Sequence, residues 1–264
     1  MSAAPGRLAG VRLLATAATR GIGLAVARLA LAEGARLALT GPGEASLTRA
    51  ASDLEGLGRS PEVWAVLDVT DAASIDRAVA RVRSRLGGID ALFVNVPGAP
   101  SGGWRDVGEE AWRRAFELYV LSVLRLVSTL RPDLERAGGR VVVVTSYAAV
   151  EPIEGLALSN VVRPAVHALV REMARDLGRC GVLVNALAPG RVETERVRQV
   201  EAAQARQRGV DEAAVRAETV ASIPLGRYAR PEEVAEAAVF LLSPANTYVT
   251  GQVLLVDGGL VRRG

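Results

Sequence analysis

Three stretches of this chain hold residues whose types and spacing could do chemistry. The first, Thr16-Ala-Ala-Thr-Arg-Gly-Ile-Gly23, sets Arg20, Gly21, Ile22 and Gly23 between an apolar run and an amphipathic one. A glycine turn from strand to helix lets backbone N–H groups approach a pyrophosphate, and the helix N-terminus adds partial positive charge. The first glycine of such a turn is here Ala17; if the turn needs a positive φ there, alanine costs about 1 kcal/mol or more. The second stretch ends a valine run at Thr145-Ser146. The third, Leu-Ala-Leu-Ser-Asn-Val-Val-Arg-Pro, carries Ser159 thirteen residues after Ser146 and Arg163 four residues later. A serine hydroxyl titrates several units above a phenol's ~10, so nearby positive charge alone does not make Ser159 an acid–base group at neutral pH. Arg163 offers a fixed charge on a planar fork, suited to an anion or to hydroxyls.

Those residues need elements to position them. Pro164 disfavours helical geometry at Arg163 and cannot donate a helix hydrogen bond, so a helix is expected to start or kink there. Ser159 or Asn160 is then its N-cap, a reading of Ser159 preferred over catalysis. Apolar runs of strand length alternate with helical periodicities along the whole chain, at 11–16, 35–40, 62–67, 90–95, 140–146, 181–189 and 252–256. Near-continuous Val/Leu/Ala runs mark strands buried on both faces. Helices are expected at 21–33, 44–57 and 109–135, and in the segment before residue 181. The pattern predicts an α/β fold: a Rossmann-like, doubly wound, seven-stranded parallel sheet in three layers, forming one domain over 1–264. A polar, alanine-rich insertion at 195–222 is read either as a helical lid or as a solvated excursion.

Composition narrows the class. Half of the 264 residues are hydrophobic, enough for a sizeable core. No apolar run approaches the ~20 residues of a membrane helix, and the N-terminus has no secretory pattern, so the expected location is cytoplasmic, without a membrane partner. The formal charge is +3, and all 32 basic residues are arginine, interleaved with carboxylates as on solvated helix faces. Aromatics are 4 %, which argues against nucleic acid as a partner. Cys180 is the only cysteine, expected buried and inert, and no metal cluster is visible.

Further motifs follow the later strands: Asp68 in Leu-Asp-Val-Thr-Asp, Asn95 in Val-Asn-Val-Pro-Gly, and Asn185, Pro189, Gly190 and Thr194 in Val-Asn-Ala-Leu-Ala-Pro-Gly-Arg-Val-Glu-Thr. With the C-terminal segment 223–259, their order and spacing resemble the short-chain dehydrogenase/reductase family over essentially the whole chain. The β-ketoacyl-acyl-carrier-protein-reductase-like branch is the most similar. The resemblance implies bound NAD(H) or NADP(H), a small-molecule substrate, and a homotetramer or homodimer. Carried over residue by residue, it implies that Arg20 to Gly23 hold the pyrophosphate, that Asp68 and Val69 hold the adenine, that Asn95 lies by the ribose, and that Thr16 and Gly98 also belong to the cofactor site. Pro189, Gly190, Val192 and Thr194 fall beside the nicotinamide. Three departures stand out: Ala17 for glycine, Val94-Asn95-Val96-Pro97 for the family's Asn-Asn-Ala-Gly, and Thr-Gly-Pro-Gly-Glu-Ala-Ser after strand two. The last offers no cation for a 2′-phosphate and Glu44 repels one, so NAD(H) is favoured.

At the chemical end the family uses a serine, a tyrosine, a lysine and an asparagine. Ser146 matches the serine, Ser159 stands for the tyrosine, Arg163 for the lysine and Tyr119 for the asparagine. Among other candidates, Tyr147 is expected to turn away from Ser146 by strand alternation, Tyr119 to pack or to point in, and His167 to be packed or solvated. Tyr228 and Tyr248 are expected in core or interface, and Trp104 beside the substrate pocket. Three readings follow: a nicotinamide-dependent oxidoreductase on a small carbonyl, alcohol or 3-oxoacyl-type substrate, with degenerate catalytic residues; a non-catalytic nucleotide-binding or regulatory scaffold; and a halohydrin-dehalogenase-like anion site. Those dehalogenases share the arginine but keep a tyrosine where this chain has Ser159.

Overall fold

A computed structural model describes residues 6–56 and 60–262. Seven strands form in chain order: β1 (Arg12–Ala15), β2 (Arg36–Gly41), β3 (Val63–Val66), β4 (Ala91–Val94), β5 (Arg140–Val144), β6 (Leu183–Pro189) and β7 (Val253–Val256). All pair in parallel, in the spatial order β3-β2-β1-β4-β5-β6-β7. This is the expected Rossmann-like sheet. The apolar runs of β1, β2, β4, β5 and β6 are buried on both faces, as their composition requires. Edge strand β3 alternates instead, with Val63 and Ala65 inside and Trp64 and Val66 outside.

Helices cover both faces. On one side α1 (Gly21–Ala32), α2 (Glu44–Glu55) and α9 (Pro231–Leu242) share a core with β1 and β2. On the other, α3 (Ala72–Leu86), α5 (Ser122–Ala137) and α6 (Ala157–Leu177) build a second core. The expected end of α2 at Leu57 lies outside the described residues. The expected continuous helix over 109–135 divides into α4 (Glu109–Phe116), a π-helical turn (Glu117–Leu121) and α5. The insertion at 195–222 folds as two helices, α7 (Glu195–Arg208) and α8 (Glu212–Ser222).

Several local expectations are overturned. α6 begins at Ala157, with Leu156 preceding it and no side-chain cap, and it runs through Pro164. Neither Ser159 nor Asn160 is an N-cap; Asn160 instead bonds the Ile153 backbone through both ends of its amide. Burial of Leu158, Val162, Val166 and Val170 on one face holds the helix together across the proline, so packing prevails over local preference. Cys180 is exposed, because it lies in a short 3₁₀ turn after α6 rather than in the strand behind it. Tyr248 is 96 % exposed, whereas Tyr228 is buried.

Strand order reverses between β1 and β4, so a crevice opens at their C-terminal ends. Side chains lace this crevice. Thr16 Oγ1 donates to the Asn95 carbonyl (2.6 Å) and accepts from the Asn95 amide (3.0 Å), while Asn95 Nδ2 donates to the Ala17 carbonyl (3.1 Å). The held residue is strained: Ala17 has φ +44°, the only positive φ outside glycine among the described residues. Gly23 sits so close beneath that an added Cβ would lie 2.5 Å from the Ala17 carbonyl oxygen and 2.8 Å from Ala18 Cα.

Ala17→Gly is therefore expected to stabilise the fold by up to about 1 kcal/mol, the left-handed penalty less the entropy glycine adds to the unfolded chain. Gly23→Ala is expected to destabilise it by about 1–3 kcal/mol through overpacking. Urea unfolding followed by circular dichroism checks both.

Candidate active site

A cavity of about 310 Å³ runs along the C-terminal ends of β1, β4, β5 and β6. At one end the turn before α1 contributes Ala17 and Arg20, and the start of α1 contributes Gly21 and Ile22. No side chain caps α1 and its first turn holds no acid, so its leading amides are left for an anion. Asn95, Pro97 and Gly98 line the middle, and Pro189, Gly190, Val192 and Thr194 the wall beyond β6. Ser146, Ser159 and Arg163 meet at the far end.

The structure thus brings together most of the residues singled out in the sequence. Thr16 and Gly23 stand behind the wall, where they shape the turn, and are not among the lining residues. Asp68 and Val69 also lie outside the cavity. Asp68 is exposed beyond β3, its Oδ1 accepting from the Thr70 hydroxyl (2.6 Å) and amide (2.9 Å), bonds that hold its carboxyl below the usual range. Trp104 does not border the cavity: it is 66 % exposed and stacks with the guanidinium of Arg105.

The far end is densely functional. Ser146 caps a 3₁₀ turn (Tyr147–Ala149), its Oγ accepting from the Ala148 amide at 3.1 Å. Because β5 has already ended at Val144, strand alternation no longer governs the next residues, and Tyr147 lines the same cavity as Ser146. This corrects the expectation that it turns away. Burial raises the Tyr147 phenol above its ordinary value, against the opposing charge of Arg191.

Arg163 is 9 % exposed. Its Nη1 donates weakly to the Val144 carbonyl (3.4 Å), its Nε is buried without a partner, and its Cζ lies 4.2 Å from the centre of the Tyr119 ring. No carboxylate pairs with it among the described residues. Tyr119 belongs to the π-helical turn, is 2 % exposed and accepts a 2.5 Å hydrogen bond from the Ala99 amide. Burial pushes its phenol up; the Arg163 charge, the Ala99 amide and the Ser159 hydroxyl outweigh this and set it below its ordinary value.

Sequence reasoning also passed over Arg196. From the first turn of α7 its Nη2 donates to the Ala99 carbonyl (2.6 Å), and burial together with Arg163 and Arg20 lowers its affinity for the proton. Arg20 pairs with Glu195 (2.8 Å) across the cavity mouth. α7 is thus tied to both rims, and α8 is anchored behind it by Arg216, which pairs with Glu193 and stacks on Tyr228 (4.3 Å). The Tyr228 hydroxyl donates in turn to the buried Glu201.

His167 is packed, not solvated. It is buried one turn below Arg163 and shares a 2.9 Å hydrogen bond with Thr145 Oγ1. Burial, with the charges of Arg171 and Arg163, lowers it from 6.5 to about 4. The unfolded chain then binds this proton more readily than the folded one, so stability falls as pH drops from 6.5 toward 4. His167→Gln is expected to make that acid limb shallower, a change visible in urea midpoints taken across the window.

Residues 16–261 match the family model described as Enoyl-(Acyl carrier protein) reductase. The chain is 32 % identical to the 3-oxoacyl-[acyl-carrier-protein] reductase FabG of Vibrio cholerae serotype O1, over 96 % of this chain and 98 % of that one. It superposes on a single-residue variant of the actinorhodin polyketide ketoreductase solved with NADPH, with a TM-score of 0.91 and 30 % identity, covering 96 % of this chain and 98 % of that one. It also superposes on the NADPH-bound short chain oxidoreductase of Pseudomonas aeruginosa PAO1 with an atypical catalytic center. That match has a TM-score of 0.88 and 31 % identity, covering 98 % of this chain and all of the other.

Proposed function

The chain belongs to the short-chain dehydrogenase/reductase family, and from that premise we propose that it is a nicotinamide-dependent oxidoreductase acting on a small ketone or 3-oxoacyl-type substrate through an altered active site. The observation that carries this reading is one cavity joining the uncapped start of α1 to Ser146, Ser159 and Arg163.

The residues present fit the cofactor. Gly21 leaves the backbone bare on the cavity wall, so a phosphate can approach the leading amides of α1 closely, and Gly23 behind it lets the start of the helix pack against the Ala17 carbonyl. Arg20 adds charge at the same mouth. The unpartnered Nε of Arg163 suits ribose hydroxyls at the opposite end. When bound, the nicotinamide supplies or accepts the hydride. The chain's own part is to hold the substrate carbonyl with the Ser146 hydroxyl, to keep a fixed positive charge at Arg163, and to shelter the reacting atoms beneath α7. The family's tyrosine and lysine read here as Ser159 and Arg163, which is the sense in which the site is altered.

No cation follows β2 to receive a 2′-phosphate: Gly41, Pro42 and Gly43 lead to the exposed Glu44 at the start of α2. NADH is therefore expected to bind more tightly than NADPH by roughly tenfold, the ratio that about 1.4 kcal/mol gives. Calorimetry with both dinucleotides checks this. Failure of both to bind at millimolar concentration overturns the oxidoreductase reading. Binding without turnover of any of a panel of aldehydes, ketones and 3-oxoacyl thioesters points to a nucleotide-binding scaffold instead.

Self-association belongs to the same reading. Leu254 on edge strand β7 is 38 % exposed, and Phe240 on α9 is also uncovered, apolar surface that a second copy would remove from water. Sedimentation is expected to show a dimer or tetramer; a monomer at micromolar concentration contradicts it.

A further inference from the structure

We infer that the substrate of this site carries a carboxylate, held by Arg191 where the cofactor cavity meets a second cavity beneath α7 and α8. This rests on the oxidoreductase reading and names the class of its substrate: an oxo acid, or the hydroxy acid it becomes, rather than an uncharged ketone or alcohol.

The second cavity has a volume of about 250 Å³. Gln204 and Gln207 of α7 and Thr219 and Ser222 of α8 line it, a polar wall that suits a charged end better than an acyl chain. Three side chains, Tyr147, Ile153 and Arg191, line both cavities and so stand between them. Because Tyr147 directly follows Ser146, the second cavity adjoins the first at the end where a substrate carbonyl is held.

Arg191 is fixed at this junction by its backbone. It follows Gly190, whose amide donates to the Val256 carbonyl (2.9 Å) and where an added Cβ would lie 2.7 Å from Asp257 Cα. Its own carbonyl accepts from the Ala229 amide at 2.9 Å. The side chain, by contrast, has no counter-charge. Arg191 is 8 % exposed, its Nε is buried without a hydrogen-bond partner, and its Cζ lies 6.0 Å from the centre of the Tyr147 ring, the outer limit of such a contact. The carboxylates of the neighbouring segments are engaged elsewhere. Glu193 pairs with Arg216, Glu201 accepts from the Tyr228 hydroxyl, and Asp257 accepts from the Gly259 (3.0 Å) and Val261 (2.9 Å) amides. On the second cavity, Glu151 accepts from the Arg262 amide (3.4 Å), Glu154 is exposed and forms no ion pair with Arg191, and Arg208 is taken by Glu218 (2.8 Å).

An uncompensated buried guanidinium is costly, and an incoming anion returns that cost on binding. The planar fork presents parallel N–H donors that match the two oxygens of a carboxylate. The cofactor does not need this charge. Arg20 stands at the pyrophosphate end, and Arg163 and Arg196, the other arginines of the cofactor cavity without a carboxylate, each donate to a backbone carbonyl, of Val144 and Ala99. Arg191 makes neither kind of bond among the described residues and sits past Ser146, where the remainder of a substrate extends.

The test uses the full chain with NADH or NADPH and two matched pairs of probes, acetoacetate against methyl acetoacetate and levulinate against methyl levulinate. In the native protein at least one acid is expected to be reduced with kcat/KM about 30-fold or more above its ester, the ratio that a desolvated charge pair gives. Arg191→Gln is expected to remove that preference by raising KM for the acid, and Arg191→Lys, which keeps the charge, to restore part of it. Calorimetry reads the subsite without turnover: butyrate and valerate, which hold no reducible carbonyl, are expected to bind the native chain and to lose about tenfold or more in affinity in Arg191→Gln, with NADH affinity unchanged within about threefold. Esters reduced as well as both acids overturn the inference and leave the oxidoreductase reading standing. Carboxylate binding indifferent to Arg191→Gln overturns it too, as does an equal loss of NADH affinity, which assigns the arginine to the cofactor. If the native chain reduces none of the probes, calorimetry alone decides, and failure of both carboxylates to bind is fatal. Arg191-dependent carboxylate binding by a chain that binds neither dinucleotide sinks the oxidoreductase reading and leaves the anion subsite. Should Arg191→Gln fail to fold, Arg191→Lys and the acid-to-ester ratio of the native chain decide, a ratio near one being fatal.

Discussion

A guanidinium, that of Arg163, lies against the cavity wall with no carboxylate paired to it among the described residues, and the site is organised around that fact. Burying an uncompensated charge is expensive, and proteins accept it where the surroundings return part of the cost. Around Arg163 the returns are the Val144 carbonyl and the face of Tyr119, a stacking contact worth up to about 2 kcal/mol when water is excluded. Neither matches an ion pair. The remaining field spreads to the neighbours: it helps to hold the Tyr119 phenol down, His167 neutral, and the nearby Arg196 guanidinium less basic. At His167 and Arg196 burial does most and the charge on α6 adds to it, while at Tyr119 that charge works against burial.

The placement of that charge depends on the sheet. Reversal of strand order between β1 and β4 leaves their ends uncovered by a crossover, and the crevice there brings a helix N-terminus and the start of α6 within reach of one ligand. Thr16 and Asn95 lock the two strand ends together, and the lock includes the carbonyl of a strained Ala17. The strain is tolerated because the contacts on either side fix the turn, as expected of a conformation held by its surroundings. By contrast, the mouth is held by an exposed ion pair, Arg20 with Glu195, of the kind that contributes little. Rigid floor and loosely held mouth suit a site that admits and releases a large ligand.

The strands were legible in the sequence because Val-Leu-Ala runs such as Arg140–Val144 have few other ways to be buried. The glycine turn was legible down to the strain at Ala17, since backbone sterics are local. What the sequence hid was set by contacts distant in the chain. Pro164 reads as a break, yet helix α6 passes through it because its apolar face is already committed to the core. Tyr147 reads as pointing away from Ser146, yet the strand stops two residues too early for alternation to apply. Tyr119 reads as packing or pointing in, and it packs in the second core; the π-helical turn that orients it leaves no mark in the residue pattern, because widening a helix by one residue changes no composition. Trp104 and Cys180 failed for a simpler reason: each sits in an irregular segment where periodicity says nothing about which way a side chain faces.

The absence of lysine from the chain has a chemical consequence at this site. A lysine beside a proton-transferring group can itself titrate; an arginine with pKa above about 12 remains a fixed source of field. Protons at the catalytic end must therefore move on the remaining groups. His167 is held to about 4 by burial and by the charges of Arg171 and Arg163, too weak a base to be refilled at neutral pH. Tyr147 is shifted by burial in the direction that keeps its proton. Ser146 and Ser159 are too weakly acidic to hold a negative charge. Tyr119 is shifted the other way: burial raises it, but the Arg163 charge with the Ala99 amide and the Ser159 hydroxyl outweighs that. Arginine in place of the family's lysine thus leaves α6 with a cation whose field bears on Tyr119, His167 and Arg196 around it.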